Sequence, residues 1–135
     1  MTDLKLHEMP AGGLPHDHGT GTAALLEHRP SQKSFETVAS EFQLISDSTR
    51  LSIFWLLCHS EDCVINIAAA AGMSSPAVSH HLRLMKQAGL IDSRKVGKEV
   101  YYRLADTKEA QLLHQAVDSI LQIKCPGEGH SKTGA

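Results

Sequence analysis

The sequence predicts a mainly helical domain carrying one small β-hairpin, with its elements in the order α-α-α-α-β-β-α. Three observations point to it. Apolar residues recur at helical spacing through most of residues 34–123, two of the helices so defined are joined by a tight turn containing Gly72, and two short β-prone segments follow around Val96-Gly97-Lys98. Composition agrees: 135 residues with 41% hydrophobic content suffice for one core, and only 4% aromatic residues leave Leu, Ile, Val and Ala to fill it, which suits packed helices better than a β-sandwich.

Each element has a local cause. Residues 1–32 hold Pro10, Pro15, Pro30, a cluster of glycines and the run Pro15-His16-Asp17-His18-Gly19 without a sustained apolar period, so they are expected to form a flexible, histidine-containing arm with at most a helical turn near Ala23-Ala24-Leu25-Leu26. The folded domain is expected over 33–125. Phe35, Val38, Ala39, Phe42 and Ile45 define a first helix with Ser34 as its N-cap, and Ser48 can cap a second in which Leu51, Phe54, Trp55 and Cys58 share one stripe. Val64 to Ala71 form a short third helix stopped by Gly72. Ser74 or Ser75 caps a fourth, with Pro76 in its first turn where a missing N–H costs nothing, and this helix runs to Gln87 before Gly89. Ile91–Lys95 and Glu99–Leu104 read as the hairpin strands. Asp106 or Thr107 caps a last helix whose apolar face is Leu113, Ala116, Val117, Ile120 and Leu121, and 126–135 is a polar tail.

Several function classes drop out. No run of eighteen apolar residues and no basic, then apolar, leader is present, so membrane and secretory roles are not expected and a cytoplasmic location is. Three cysteines, Cys58, Cys63 and Cys125, suit thiols that pack, bind metal or react in a reducing compartment better than a disulfide framework. No nucleophile-base pair, glycine-rich phosphate loop or paired carboxylate stands in a catalytic setting, so neither an enzyme nor an organic cofactor is expected.

Charge points to a partner. The net charge is −2, yet between Ser74 and Arg103 six basic residues (Arg83, Lys86, Arg94, Lys95, Lys98, Arg103) face two acidic ones (Asp92, Glu99), which makes one basic surface on an otherwise acidic chain. At about 100° per residue, Val78, Leu82 and Met85 fall on one side of the fourth helix and Ser79, His80, Arg83 and Gln87 on the other. The polar side, with Ser74 and Ser75 at the helix start, Lys86 near its end and Arg94, Lys95 and Lys98 on the hairpin, is the expected DNA-binding surface: two helices across a glycine turn, followed by a basic hairpin, are a winged helix-turn-helix. His81 falls toward the buried flank and reads as a core histidine.

Asp47-Ser48-Thr49-Arg50-Leu51, Cys63-Val64, the run Ser74-Ser75-Pro76-Ala77-Val78-Ser79-His80-His81-Leu82, Ala88-Gly89-Leu90, and Gly97-Lys98-Glu99-Val100-Tyr101-Tyr102-Arg103-Leu104 resemble the ArsR/SmtB repressors over Glu36 to Ile123. The resemblance implies a homodimer formed through the first and last helices, with two recognition helices in successive major grooves of double-stranded DNA. Its operator would be an inverted repeat with half-sites ~34 Å apart.

The resemblance also implies an inducer, a metal ion such as Zn²⁺ or Cd²⁺. The family's metal positions on the last helix match Asp106, Lys108, Ser119 and Gln122 here; Lys is cationic and Ser and Gln are not usual zinc ligands, so that site is expected to be lost. The family's other site matches Cys63, with Asn66 replacing an Asp, and takes further ligands from the N-terminal arm, where His16 and His18 are available on a stretch able to cross ~50 Å when extended. Two alternatives stay open at this point: a thiol- or redox-responsive repressor using Cys63, Cys58 or Cys125, and a winged-helix interaction module that does not bind DNA.

Overall fold

The computed structural model describes residues 13–127. Parts of the expected arm (1–32) and tail (126–135) lie outside the described residues. The chain divides into two compact units, Met1–Gln43 and Leu44–Ala135.

In the first unit, α1 (Thr22–Glu27) follows Gly21, whose φ of 80° suits a residue without a Cβ, and ends at His28. Helix α2 (Gln32–Leu44) begins three residues earlier than the sequence suggests, because Ser31 rather than Ser34 takes the capping role: its hydroxyl oxygen accepts from the Ser34 N–H at 3.1 Å. Phe35, Val38 and Phe42 make an exposed apolar row along α2, at 46%, 53% and 59% exposure.

The second unit contains α3 (Ser48–His59), β1 (Asp62–Cys63), α4 (Val64–Ala71), α5 (Ser75–Gln87), β2 (Ile91–Val96), β3 (Glu99–Leu104) and α6 (Lys108–Lys124). Asp47, not Ser48, caps α3, accepting from the Arg50 N–H at 2.9 Å. A carboxylate at a helix N-terminus also complements the helix dipole. The single stripe expected on α3 is too narrow: Ile53, Phe54 and Leu57 are its buried residues, while Leu51, Trp55 and Cys58 are half-buried, because the helix is apolar around most of its circumference. Ile53, Phe54 and Leu57 pack with Ile67 and Ala68 of α4, Val78, Leu82 and Met85 of α5, and Leu90, Ile91 and Leu113 into one core.

The sheet is antiparallel in the order β1-β3-β2. Ile91 pairs with Leu104 and Val96 with Glu99, so the hairpin closes in two residues, Gly97-Lys98, with Gly97 at φ 64°. The two-residue β1 adds Asp62 opposite Tyr102 and Cys63 opposite Tyr101. The base of the hairpin is tied to its neighbours at one point. Ala105 N–H donates to the Leu90 carbonyl at 3.0 Å, and the Thr107 hydroxyl donates to the Gly89 carbonyl at 2.8 Å while accepting from Ala110 N–H to cap α6.

Helix α6 uses two faces. Ala110 and Leu113 are buried, and His114, Val117, Asp118 and Leu121 half-buried, whereas Leu112, Ile120 and Ile123 stand out at 65%, 57% and 74% exposure. Of the apolar face read from the sequence, Ala116 and Ile120 are thus exposed in the single chain.

A polar contact joins the first turn of α3 to Leu44 and to α5. Arg50 donates from Nη1 to the Leu44 carbonyl (2.9 Å) and from Nε to His81 Nδ1 (3.0 Å). His81 must be neutral at Nδ1 to accept this bond. Burial first, then the Arg50 charge beside it, holds its imidazole below the usual histidine range, with Asp47 opposing and His80 adding to the effect. The unfolded chain then takes up this proton before the folded one does. The stability that His81 contributes is fully present above about pH 6.5 and is lost as pH falls from there toward the lower folded value. Arg50→Ala is expected to lower unfolding stability by about 1–2 kcal/mol by urea titration, and His81→Gln to flatten the wild-type loss of stability below pH 6.5; an equally steep acid slope in His81→Gln would show that another group sets it.

Candidate nucleic-acid interface and metal-donor cluster

Helix α5 is fixed at both ends. Ser74 caps it, its hydroxyl accepting from Ala77 N–H at 3.3 Å, Pro76 sits in the first turn, and Gly89 at φ 79° lets the chain turn into β2. The turn before it also follows from sequence: Gly72, at φ 67°, ends α4, and Met73 N–H returns to the Ala68 carbonyl at 3.0 Å. Val78, Leu82 and Met85 are completely buried, and each contributes ~1.5–3 kcal/mol of apolar burial.

With that face committed, the opposite face has to be outside. His80, Arg83, Lys86 and Gln87 are exposed, as is Ser74, while Ser75 and Ser79 are half-buried. Arg83 Nη2 lies 3.0 Å from His80 Nδ1, one helical turn away, so the two side chains stand together on the surface. Lys86 Nζ donates to Ser93 Oγ at 2.6 Å and bridges from α5 to the hairpin. His81 lies on the buried flank, bonded to Arg50 as described.

The basic residues of the hairpin differ from one another. Lys95 and Lys98 are exposed, Lys98 at the tip. Arg94 donates from Nε to Glu61 Oε2 and from Nη2 to Oε1, at 2.5 and 3.0 Å. Its hydrogen bond, helped by the nearby charges of Arg94 and Arg103, holds the Glu61 carboxyl below the usual range against some desolvation, so the pair stays ionised and offsets one of the positive charges counted in the sequence. Glu61 is the residue that a count over 74–103 could not include.

The cysteines are all free thiols and all half-buried. Burial, and secondarily the Asp118 charge, pushes Cys58 up to about 12, which leaves it a protonated, weakly nucleophilic thiol packed against the core. Cys63 is the N-cap of α4 and Cys125 the C-cap of α6. Beside Cys63, Asp62 Oδ1 accepts from Cys63 N–H and from Asn66 Nδ2, both at 2.8 Å, so Asn66 acts as a donor to a neighbouring carboxylate. His16 and His18 belong to the first unit, where their rings stack with centroids 5.7 Å apart.

Sequence reasoning missed a different group of possible metal donors. Among the described residues, His59 at the end of α3 and His114 and Asp118 on α6 bring one ligand atom each to within 4.8 Å of one another. His59 Nε2 lies 3.2 Å from Asp118 Oδ1, His114 Nε2 lies 2.9 Å from Oδ2, and the two imidazoles meet edge to face with centroids 5.0 Å apart. The spacing of His114 and Asp118, four apart on a helix, was visible in the sequence. The third member required knowing that the end of α3 meets the middle of α6.

Comparison with known proteins places this geometry. A family model described as "Bacterial regulatory protein, arsR family" matches residues 47–93. The chain is 33% identical over 113 residues to a transcriptional repressor SmtB homolog of Synechocystis sp., covering 84% of this chain and 86% of the relative. It is 38% identical over 88 residues to the cadmium resistance transcriptional regulatory protein CadC of Listeria innocua, covering 63% and 74%. Among solved structures it is similar to the homodimeric winged helix-turn-helix DNA-binding domain Mb0332 from Mycobacterium bovis, with a TM-score of 0.61 and 28% identity over 76% of this chain and 96% of the other. The transcriptional repressor BigR from Xylella fastidiosa gives a TM-score of 0.59 and 27% identity, covering 73% and 94%. This chain belongs to the ArsR/SmtB family of winged helix-turn-helix transcriptional repressors.

Proposed function

We propose that this protein is a homodimeric repressor that binds an inverted-repeat operator and is released from it when a metal ion binds. The observation that carries the DNA-binding part is the orientation of α5: with Val78, Leu82 and Met85 wholly buried, His80, Arg83 and Gln87 face outward beside a hairpin tipped by Lys98. A helix carrying these donors fits the major groove, where Arg83 has the length and fork geometry to reach a guanine edge or a phosphate. Ser74, Ser75, Ser79 and Lys86 are positioned for backbone contacts, and Lys95 and Lys98 for phosphates flanking the groove. Arg94 contributes less, since Glu61 already holds it.

The exposed apolar rows of α2 and of α6 support association of two copies, as in the homodimeric M. bovis relative. Two-fold symmetry would present two copies of α5 to one duplex, which a single short helix needs because it contacts too few bases. The metal reading is supported by relatives named for cadmium resistance and by the His59, His114 and Asp118 cluster. A thiol-based switch at Cys58 has less support, because its thiol is held protonated.

Fluorescence anisotropy with a duplex carrying the inverted repeat upstream of the protein's own coding region tests this reading. Arg83→Ala is expected to weaken binding about 5- to 150-fold, and Lys98→Ala to weaken all sequences evenly and to reduce the slope of log affinity against log salt by about 1 per protomer. Zn²⁺ or Cd²⁺ is expected to lower operator affinity, also by about 5- to 150-fold. Binding that ignores salt and both substitutions would remove the DNA reading, and an operator affinity indifferent to these ions would remove the metal reading.

A further inference from the structure

We propose that His59, His114 and Asp118 form a binding site for a borderline divalent metal ion, Zn²⁺ in the first instance, within one subunit and across the contact of α3 with α6. It deepens the metal-responsive reading above and rests on that reading only for its regulatory consequence.

The donor set has the right chemistry. Two imidazole nitrogens and a carboxylate oxygen are three of the ligands Zn²⁺ takes in open sites, with a fourth position left to water or an exogenous group. The spacing is also close. At a Zn–N distance of about 2.05 Å, neighbouring ligand atoms of a tetrahedron stand about 3.3 Å apart; here one ligand atom from each residue lies within 4.8 Å of the others, with His59 Nε2 3.2 Å from Oδ1 of Asp118 and His114 Nε2 2.9 Å from Oδ2. Without metal, each Nε2–H donates to one oxygen of Asp118. An ion would take the place of these two protons, each ring passing to its neutral Nδ1–H tautomer with Nε2 free to ligate, using the same nitrogens and the same carboxylate after small rotations about existing side-chain bonds.

The surroundings favour this use. The three side chains are 32%, 23% and 35% exposed, so an ion has a path from solvent, while each is partly packed and so limited in its freedom. The His59 ring rests on Trp55 with centroids 5.2 Å apart and on the edge of His114, which orients its Nε2 toward the carboxylate. His59 ends α3, whose other end carries Arg50, the residue bonded to His81 of α5. Asp118 and His114 lie on α6, whose outer face presents Leu112, Ile120 and Ile123. An ion here would clamp the helix proposed for dimer contact to the helix that braces the recognition helix.

The test is a Co²⁺ titration of the full-length protein, read by visible absorption, with Zn²⁺ competing for the same site. One tetrahedral Co²⁺ per chain is expected, with visible d–d bands and without the near-ultraviolet bands of cobalt–thiolate bonding. His59→Ala and His114→Ala should each lose more than ~10–100-fold in affinity, beyond the loss typical of removing a group that only orients a ligand. Asp118→Asn, which keeps the side chain's shape, serves as a third variant should either alanine variant fail to fold by circular dichroism. Retention of wild-type Co²⁺ affinity in these variants, or thiolate bands that persist in them, would overturn the site. Metal binding that depends on the three residues but leaves operator affinity unchanged would uphold the site and count against metal-controlled repression.

Discussion

Complete burial of Val78, Leu82 and Met85 is the constraint on which the functional surface depends. Three apolar side chains at i, i+4 and i+7 fix the rotation of α5 about its axis, and a rotation of even half a turn would expose them at a cost of several kcal/mol. The Arg50–His81 bond adds direction to a contact that burial alone leaves sliding, because a hydrogen bond at 3.0 Å between a guanidinium and a ring nitrogen tolerates little displacement. Once α5 is held this way, the outward placement of His80, Arg83 and Gln87 follows from helical geometry.

The hairpin is held to the same frame. Leu90 and Ile91 sit in the core, Ala105 and Thr107 bond back to residues 89 and 90, and Lys86 reaches Ser93. Arg94 spends its charge on Glu61 in fastening β2 to the loop before β1, whereas Lys95 and Lys98 are exposed. A chain of net charge −2 thus presents a basic face by segregating its charges rather than by an excess of them.

Much of this was legible in the sequence. The stops and starts of α4 and α5 are written in Gly72, Ser74, Pro76 and Gly89, and the hairpin in Gly97-Lys98, because each is a local choice of backbone conformation. Less legible were features that depend on neighbours. Asp47 and Ser48 are both good caps, and only the backbone decides between them; β1 is two residues long and carries no period; α6 has apolar residues on two faces, and the sequence does not say which one the subunit buries. His59 and Asp118 are 59 residues apart, so their contact exists only once α3 and α6 are packed. The sequence drew attention to Cys63, His16 and His18 as metal ligands; the meeting of His59 with His114 and Asp118 is a separate group of donors that only the packing of α3 on α6 brings together.

In the proposed dimer, regulation would need little movement, since a small tilt of α3 or α6 in each of two copies would change the spacing of the two α5 helices. What has to hold first is that the face of α5 and the hairpin tip is the surface that meets DNA. Amide chemical-shift mapping of the protein against a duplex carrying the inverted repeat measures this directly. The expected result is perturbation concentrated in residues 74–87 and 94–100, with α4 and the core of α3 little changed; perturbation centred elsewhere, with those two segments silent, would contradict it.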